Sequence, residues 1–241
     1  MKIFEYELLD STSTEARRYA QGASEVDAFP AVFIAKEQSA GRGRLGRSFF
    51  SPKNTGLYTS LVFEAPTERE LFLSLTSIAA VCTMEAIYDA FDIKTEIKWV
   101  NDLYLCGKKV AGILAESFVI GERTFVILGI GINLSTEDFP AELTQAGSLG
   151  ACAELSDSAR RALAIDLFTR FLNTSTDDLS LVMKKYRESS YVLGKRISFS
   201  SGGEKTDAVA IDINDGGGLV VRLDSDEILT LSSGEISVFV N

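Results

Sequence analysis

The chain has 241 residues, 46% of them hydrophobic and 24% charged, and a formal net charge of −10. It contains no histidine, which excludes Ser-His and Cys-His nucleophilic catalysis and histidine-held zinc, so any catalysis rests on carboxylates, Lys, Arg, backbone amides or a metal held by oxygens. The acidic balance argues against a general nucleic-acid binder, and no apolar run reaches the roughly 20 residues that span a bilayer.

The first ten residues are mixed and acidic and lack the basic start and apolar core of a signal peptide. Thr12 and Glu15 have capping-box spacing, which predicts a helix from near Ser13 through Ala20. AVFIA at 31–35 reads as a buried strand and GLYTSLVF at 56–63 as a second. Residues 68–91 read as a long helix with Leu71, Leu75, Ile78 and Cys82 on its apolar stripe. Residues 93–99 form a short strand running into an Asn101-Asp102 turn. Residues 109–118 and 124–134 make an antiparallel hairpin about Gly121-Glu122. Residues 135–155 read as loop, and 156–172 and 176–191 as amphipathic helices. After Gly194 five short β-rich segments follow, at 197–199, 209–213, 219–223, 228–231 and 236–240, punctuated by glycines. They predict a small five-stranded barrel of SH3 size behind an α+β body, with the division at 193/194. The three cysteines, Cys82, Cys106 and Cys152, are odd in number and widely spaced, as reduced thiols of a cytoplasmic protein are.

Four segments carry chemistry. Gly41 to Arg47 (GRGRLGR) packs three glycines and three arginines into seven residues of an acidic chain. Glycine lets backbone amides approach a ligand, and arginine forks match carboxylates and phosphates. Gly41, Gly43 and Gly46 match the dinucleotide fingerprint formally, but Pro52 and a strand follow where that motif needs a helix, so a Rossmann site is rejected. KWVNDLY at 98–104 is a turn on its simplest reading. Lys109 opens an otherwise apolar strand, as an edge-protecting lysine or as an anion-binding one. Gly129 and Gly131 alternate within an apolar strand and so share a face, where a flat apolar ligand would fit.

Taken together, GRGRLGR, KWVNDLYL, KVAGILAE and GIGINL resemble the biotin protein ligases, in that family's order and spacing, along with Asp10-Ser11-Thr12-Ser13 and the β-rich end. The resemblance implies a mixed-sheet catalytic domain of the biotin/lipoate ligase type followed by an SH3-like domain. It implies the short class, without the winged helix-turn-helix that binds operator DNA, as a monomer or homodimer. It also implies the reaction. Biotin and ATP, with Mg²⁺, give biotinyl-5′-AMP and pyrophosphate, and biotin then passes to one lysine of the biotin carboxyl carrier protein of acetyl-CoA carboxylase.

Residue by residue, the resemblance assigns Ser11, Thr12, Ser13 and Gln38 to the biotin ring system, and Gly41, Arg42, Gly43 and Arg44 to a loop closing over biotin and the adenylate. Lys109 is assigned to the reacting carboxylate and phosphate oxygens, and Gly112, Gly129 and Gly131 to the pocket lining. Arg47, Asn101 and Asn133 fall on the ATP side. Asp102, beside the reacting centre, orients the incoming lysine, with Lys109 and Arg44 as its catalytic companions. The glycine content predicts that residues 41–47 are disordered until ligand orders them. No residue is assigned to a metal beyond the Mg²⁺ that travels with ATP.

Three positions depart from the family pattern. Ser13 stands where many members have Asn, Val100 where many have Pro, and Leu45 in place of a third loop arginine. The first alters one polar contact to biotin, and the others change loop stiffness and charge without changing the reaction. A lipoate or octanoate ligase shares the catalytic fold and is the nearest alternative. A ligand sensor or nucleic-acid regulator using the arginine loop is the alternative of a different class.

Overall fold

The computed structural model describes residues 1–23, 28–150, 155–201, 204–232, 234 and 236–239. Cys152 lies outside the described residues. Seven strands make one mixed sheet: β1 (Lys2–Tyr6), β2 (Ala31–Ala35), β3 (Gly56–Glu64), β4 (Glu96–Lys98), β5 (Asp102–Leu105), β6 (Lys108–Ile120) and β7 (Arg123–Asn133). Their order is β1-β2-β3-β7-β6-β5-β4, with β1 and β2 parallel and every other pair antiparallel.

The sheet is covered on both faces, and strand alternation decides which side chain faces which helix. Helix α1 (Thr12–Gly22) lays Ala16 and Ala20 on Phe33, Val62 and Ile127. On the other face α2 (Arg69–Phe91), α3 (Asp157–Asn173) and α4 (Leu179–Glu188) bury Val32, Ile34, Leu61, Leu128 and Ile130. That core continues into a second sheet built from β8 (Arg196–Ser201), β9 (Glu204–Ile213), β10 (Leu219–Leu223), β11 (Ile228–Leu231) and β12 (Ile236–Val238). These five strands are antiparallel in the order β11-β10-β9-β8-β12. Among the described residues no pairing joins β11 to β12, so the expected barrel is described as a sheet. No helix of the described residues is long and apolar enough to cross a membrane.

Several boundaries move for physical reasons. The cap of α1 is Ser11, whose Oγ accepts from Ser13 N–H, while Thr12 opens the helix and turns its hydroxyl to Gln38 and Ser60. The strand expected at 93–99 shrinks to β4, and the turn sits at 99–101, so Asp102 opens β5. The last expected helix starts with a 3₁₀ turn (Thr176–Asp178) and stops at Glu188. β1, which nothing in the first ten residues signalled, pairs with β2 from the sheet edge.

Candidate active site

The site forms where one face of the sheet runs out of side chains. Along β7, Ile127 packs under α1, and the next residues on that face are Gly129, Gly131 and Asn133. Ser60, Tyr58 and Gly56 oppose them on β3, and Gly112 opposes Gly131 on β6. This bare backbone floors a cavity of about 430 Å³. A Cβ on Gly129 would stand 2.6 Å from Ser13 Oγ, and one on Gly131 2.6 Å from Phe49 Cζ, both inside contact distance. The flat group lying on Gly131 and Gly112 is therefore the chain's own Phe49 ring.

One end of the cavity is polar and neutral. Ser11, Thr12 and Ser13 line it at the start of α1. Thr12 N–H donates to Gln38 Oε1 at 2.8 Å, and Gln38 Nε2 donates to Ser51 Oγ at 2.8 Å.

The arginine loop closes over the middle. Gly43 N–H donates to Arg47 O at 2.7 Å, and Leu45 and Gly46 take left-handed φ of 54° and 75°. Arg42 donates both guanidinium nitrogens to Glu116, at 2.9 and 2.7 Å. Arg44 Nη1 donates to Asn101 Oδ1 at 3.0 Å, and Nη2 reaches Gly234 O at 3.5 Å. The loop holds a defined turn whose peptide bonds and two arginines find partners in the chain. Gly41 does not line the cavity. A Cβ there would meet Ser51 Oγ at 2.8 Å and Gln38 Nε2 at 3.0 Å, so glycine serves the close packing of the loop's base.

The charged end is framed by the 99–101 turn. Trp99 Nε1 donates to Gly217 O at 2.9 Å and Tyr186 OH to Val100 O at 2.9 Å, while Asn101 Nδ2 donates to Ile113 O at 2.6 Å. The Trp99–Val100 peptide is cis. Lys109 Nζ stands 2.7 Å from Asp102 Oδ1. β6 lies between β5 and β7, so Lys109 does not protect a sheet edge. Beyond it, Asn133 Nδ2 donates to Gly147 O at 2.9 Å, and the buried Asn133 Oδ1 accepts no hydrogen bond among the described residues. Tyr104 OH donates to Gln145 Oε1 at 3.2 Å, and burial pushes its phenol up, which keeps it a neutral donor.

Apart from Gly41, every residue that the resemblance assigned to the site lines this one cavity, while Leu45, Gly46 and Val100 do not. Five cations, Arg42, Arg44, Arg47, Lys98 and Lys109, line the cavity together with the carboxylates of Asp102 and Glu142, a basic pocket in an acidic protein, and Arg42 is itself paired with Glu116. Sequence reasoning missed Phe49, Phe50, Phe139 and Gln145, and also Gly234, Ile236 and Ser237 from the second sheet. The Phe49-Phe50 pair, separated from the last loop arginine by Ser48 alone, was the available signal. Among the described residues no cluster of three acidic or thiol side chains converges as a metal site.

The model of the Biotin/lipoate A/B protein ligase family matches residues 7–133, and that of the Biotin protein ligase C terminal domain matches residues 192–238. The biotin--[acetyl-CoA-carboxylase] ligase of Paracoccus denitrificans is 30% identical over 233 residues, covering 88% of this chain and 91% of that protein. The bifunctional ligase/repressor BirA of Bacillus subtilis (strain 168) is 36% identical over 141 residues, 57% of this chain but only 42% of BirA. A solved biotin protein ligase from Aquifex aeolicus, in complex with biotin and ATP, superposes with a TM-score of 0.80 at 24% identity, covering 100% of this chain and 99% of that one. That likeness establishes the shared fold. With the family model covering more than half of its length and the C-terminal model most of the rest, the chain belongs to the biotin/lipoate A/B protein ligase family.

Proposed function

We propose that this chain is a biotin protein ligase that makes biotinyl-5′-AMP from biotin and ATP and passes biotin to a lysine of a biotin carboxyl carrier protein of acetyl-CoA carboxylase. The observation that carries this reading is the single cavity that joins a neutral Ser/Thr/Gln end to a cluster of five cations. A ligand with an uncharged polar ring at one end and a carboxylate at the other spans such a cavity.

In the first step a biotin carboxylate oxygen attacks the α-phosphorus of ATP. The α–β anhydride bond breaks, and pyrophosphate leaves with its electron pair. Two anions must meet, and Lys109 with Arg42, Arg44 and Arg47 offsets their repulsion and stabilises charge on the phosphoryl oxygens. Mg²⁺ bound with ATP would supply charge neutralisation for the departing pyrophosphate, and Asp102 and Glu142, the carboxylates among the described residues that line the cavity, would help to hold it. Asn101 and Asn133 face the nucleotide, and the unpartnered Asn133 Oδ1 suits an amino donor of the base.

In the second step the acceptor ε-amine attacks the acyl carbon, and the C–O bond to AMP breaks. Asp102 orients the amine and takes its proton. Ser11, Thr12, Ser13 and Gln38 hold the ring end, Gly112, Gly129 and Gly131 form the floor on which Phe49 and Ser13 pack beside it, and Arg42, Gly43 and Arg44 cover it. Catalysis occurs in the cytoplasm, in a monomer or homodimer divided at residues 193/194 into a catalytic and a C-terminal domain. Biotin-dependent exchange of labelled pyrophosphate into ATP tests this. Exchange supports the reading, and its absence with tight biotin binding makes the protein a sensor. Exchange with lipoate alone moves it to lipoate chemistry.

A further inference from the structure

Behind the neutral end of the cavity runs a chain of hydrogen bonds whose proton direction follows from its acceptor-only groups, the Phe49 carbonyl and Gln38 Oε1. Ser51 Oγ donates to the carbonyl of Phe49 at 2.9 Å. A carbonyl only accepts, so the one hydroxyl proton of Ser51 is spent there. Ser51 must then accept from Gln38 Nε2 at 2.8 Å, which points Gln38 Oε1 at Thr12. That oxygen takes both Thr12 N–H at 2.8 Å and Thr12 Oγ1–H at 3.2 Å. Thr12 has now spent its proton, so its 2.8 Å contact with Ser60 Oγ requires Ser60 to donate. Ser60 in turn has spent its own, so the 3.0 Å contact with Ser13 Oγ requires Ser13 to donate.

The consequence reaches the cavity. Thr12 and Ser13 keep only lone pairs to offer a ligand. Ser11 is the opposite case, because its Oγ accepts from Ser13 N–H at 3.3 Å and keeps its own proton. Ser60 is 0% exposed and does not line the cavity, so it acts through its neighbours. Gly129 belongs to the same device, since any Cβ there would displace Ser13 Oγ.

We infer that Ser60 is a positioning residue for ligand specificity. It turns the hydroxyl protons of Thr12 and Ser13 away from the cavity, so that this end reads two ring N–H donors beside one carbonyl acceptor. This rests on the biotin reading, since the ureido ring of biotin carries that set and a dithiolane ring carries none of it. Ser13 stands where many family members have Asn, so this wiring belongs to the present chain.

The test is a thermodynamic cycle by titration calorimetry on the full chain, with wild type and Ser60→Ala against biotin and a biotin methylated at one ureido nitrogen. Ser60→Ala frees the Ser13 proton to enter the cavity. Biotin binding is expected to weaken about tenfold, and the methylation penalty to shrink several-fold relative to wild type, as about one hydrogen bond's worth of discrimination is lost. ATP affinity stays within about twofold, because the cationic end is untouched. Ser51→Ala breaks the same chain from its far end and is expected to act alike, which covers a Ser60 variant that fails to fold. A normal biotin Kd in both variants, or weakened binding with an unchanged methylation penalty, overturns the inference while leaving the biotin reading intact. Failure of the wild-type protein to bind biotin overturns that reading itself.

Discussion

Lys109 Nζ and Asp102 Oδ1 face each other at 2.7 Å inside the cavity, on two adjacent strands. Asp102 Oδ1 is enclosed and receives no aligned hydrogen bond among the described residues, so the lysine charge is what stabilises it. The pair gives each half of the proposed reaction its own group: a cation for the phosphoryl oxygens and a carboxylate for the incoming amine.

Asp102→Asn keeps the shape and removes the charge. Transfer from preformed biotinyl-AMP to the carrier should slow by about 100-fold, the usual scale for a positioned proton acceptor. Single-turnover labelling reads this directly, and an unchanged transfer rate would reject the assignment.

Lys109→Met removes the cation from the adenylation step. Biotin-dependent pyrophosphate exchange should fall by about 100- to 1,000-fold, the scale of losing one preorganised charge-stabilising donor. Since Asp102 is then left enclosed without its partner, a thermal melt on the same sample shows whether stability falls with it. Exchange near the wild-type rate would place the phosphoryl contact elsewhere.

Arg44 pins the loop to Asn101 and to Gly234 of the second sheet. Arg44→Gly cuts both ties at once. The adenylate should escape before transfer, and biotin should appear on lysines of bystander proteins mixed into the reaction. Tight retention of biotinyl-AMP by this variant would show that the other contacts suffice to hold the loop.

Gly131→Ala puts a methyl group 2.5 to 2.9 Å from three carbons of the Phe49 ring. Overpacking at such a site costs about 1–3 kcal/mol, and ligand affinity should fall with it. Gly22→Ala is the control, since nothing lies within 4 Å of a Cβ there. Equal behaviour of the two variants in biotin titrations would remove the argument for a bare cavity floor.

Burial pushes the Cys82 thiol up to about 12, leaving roughly one thiolate in ten thousand at pH 8. Because the shift is upward, reactivity appears only as pH rises far above the usual thiol range. Cys106 is exposed. Peptide mapping after brief alkylation of the native protein at pH 8 should find Cys106 modified and Cys82 intact. Modified Cys82 would contradict the packing of α2 against the sheet.

The parts of the site legible in the sequence were those whose residues are contiguous. GRGRLGR, the Trp99–Asp102 segment and the alternating Gly129 and Gly131 each declare themselves within a few positions, because glycine and arginine stand out against an apolar, acidic background. What stayed hidden depends on partners far along the chain. β1 is a half-exposed edge strand, and β2, with which it pairs, lies about thirty residues away. Ser60 looks like an ordinary small residue in a strand until Thr12 and Ser13 fold onto it. Ser11 displaced Thr12 as the helix cap because the Thr12 hydroxyl had a better use across the cavity. Lys109 read equally well as an edge residue until the strand order placed β6 inside the sheet.

Acceptor labelling tests the proposed function most directly. The protein is mixed with Mg-ATP, a biotin carrier domain and either biotin or lipoate, and the carrier is weighed by mass spectrometry. A biotin ligase gives an ATP-dependent gain of one biotinyl group on a single carrier lysine, and nothing with lipoate. A carrier left unchanged by biotin and ATP, or one that gains only lipoyl, would contradict it.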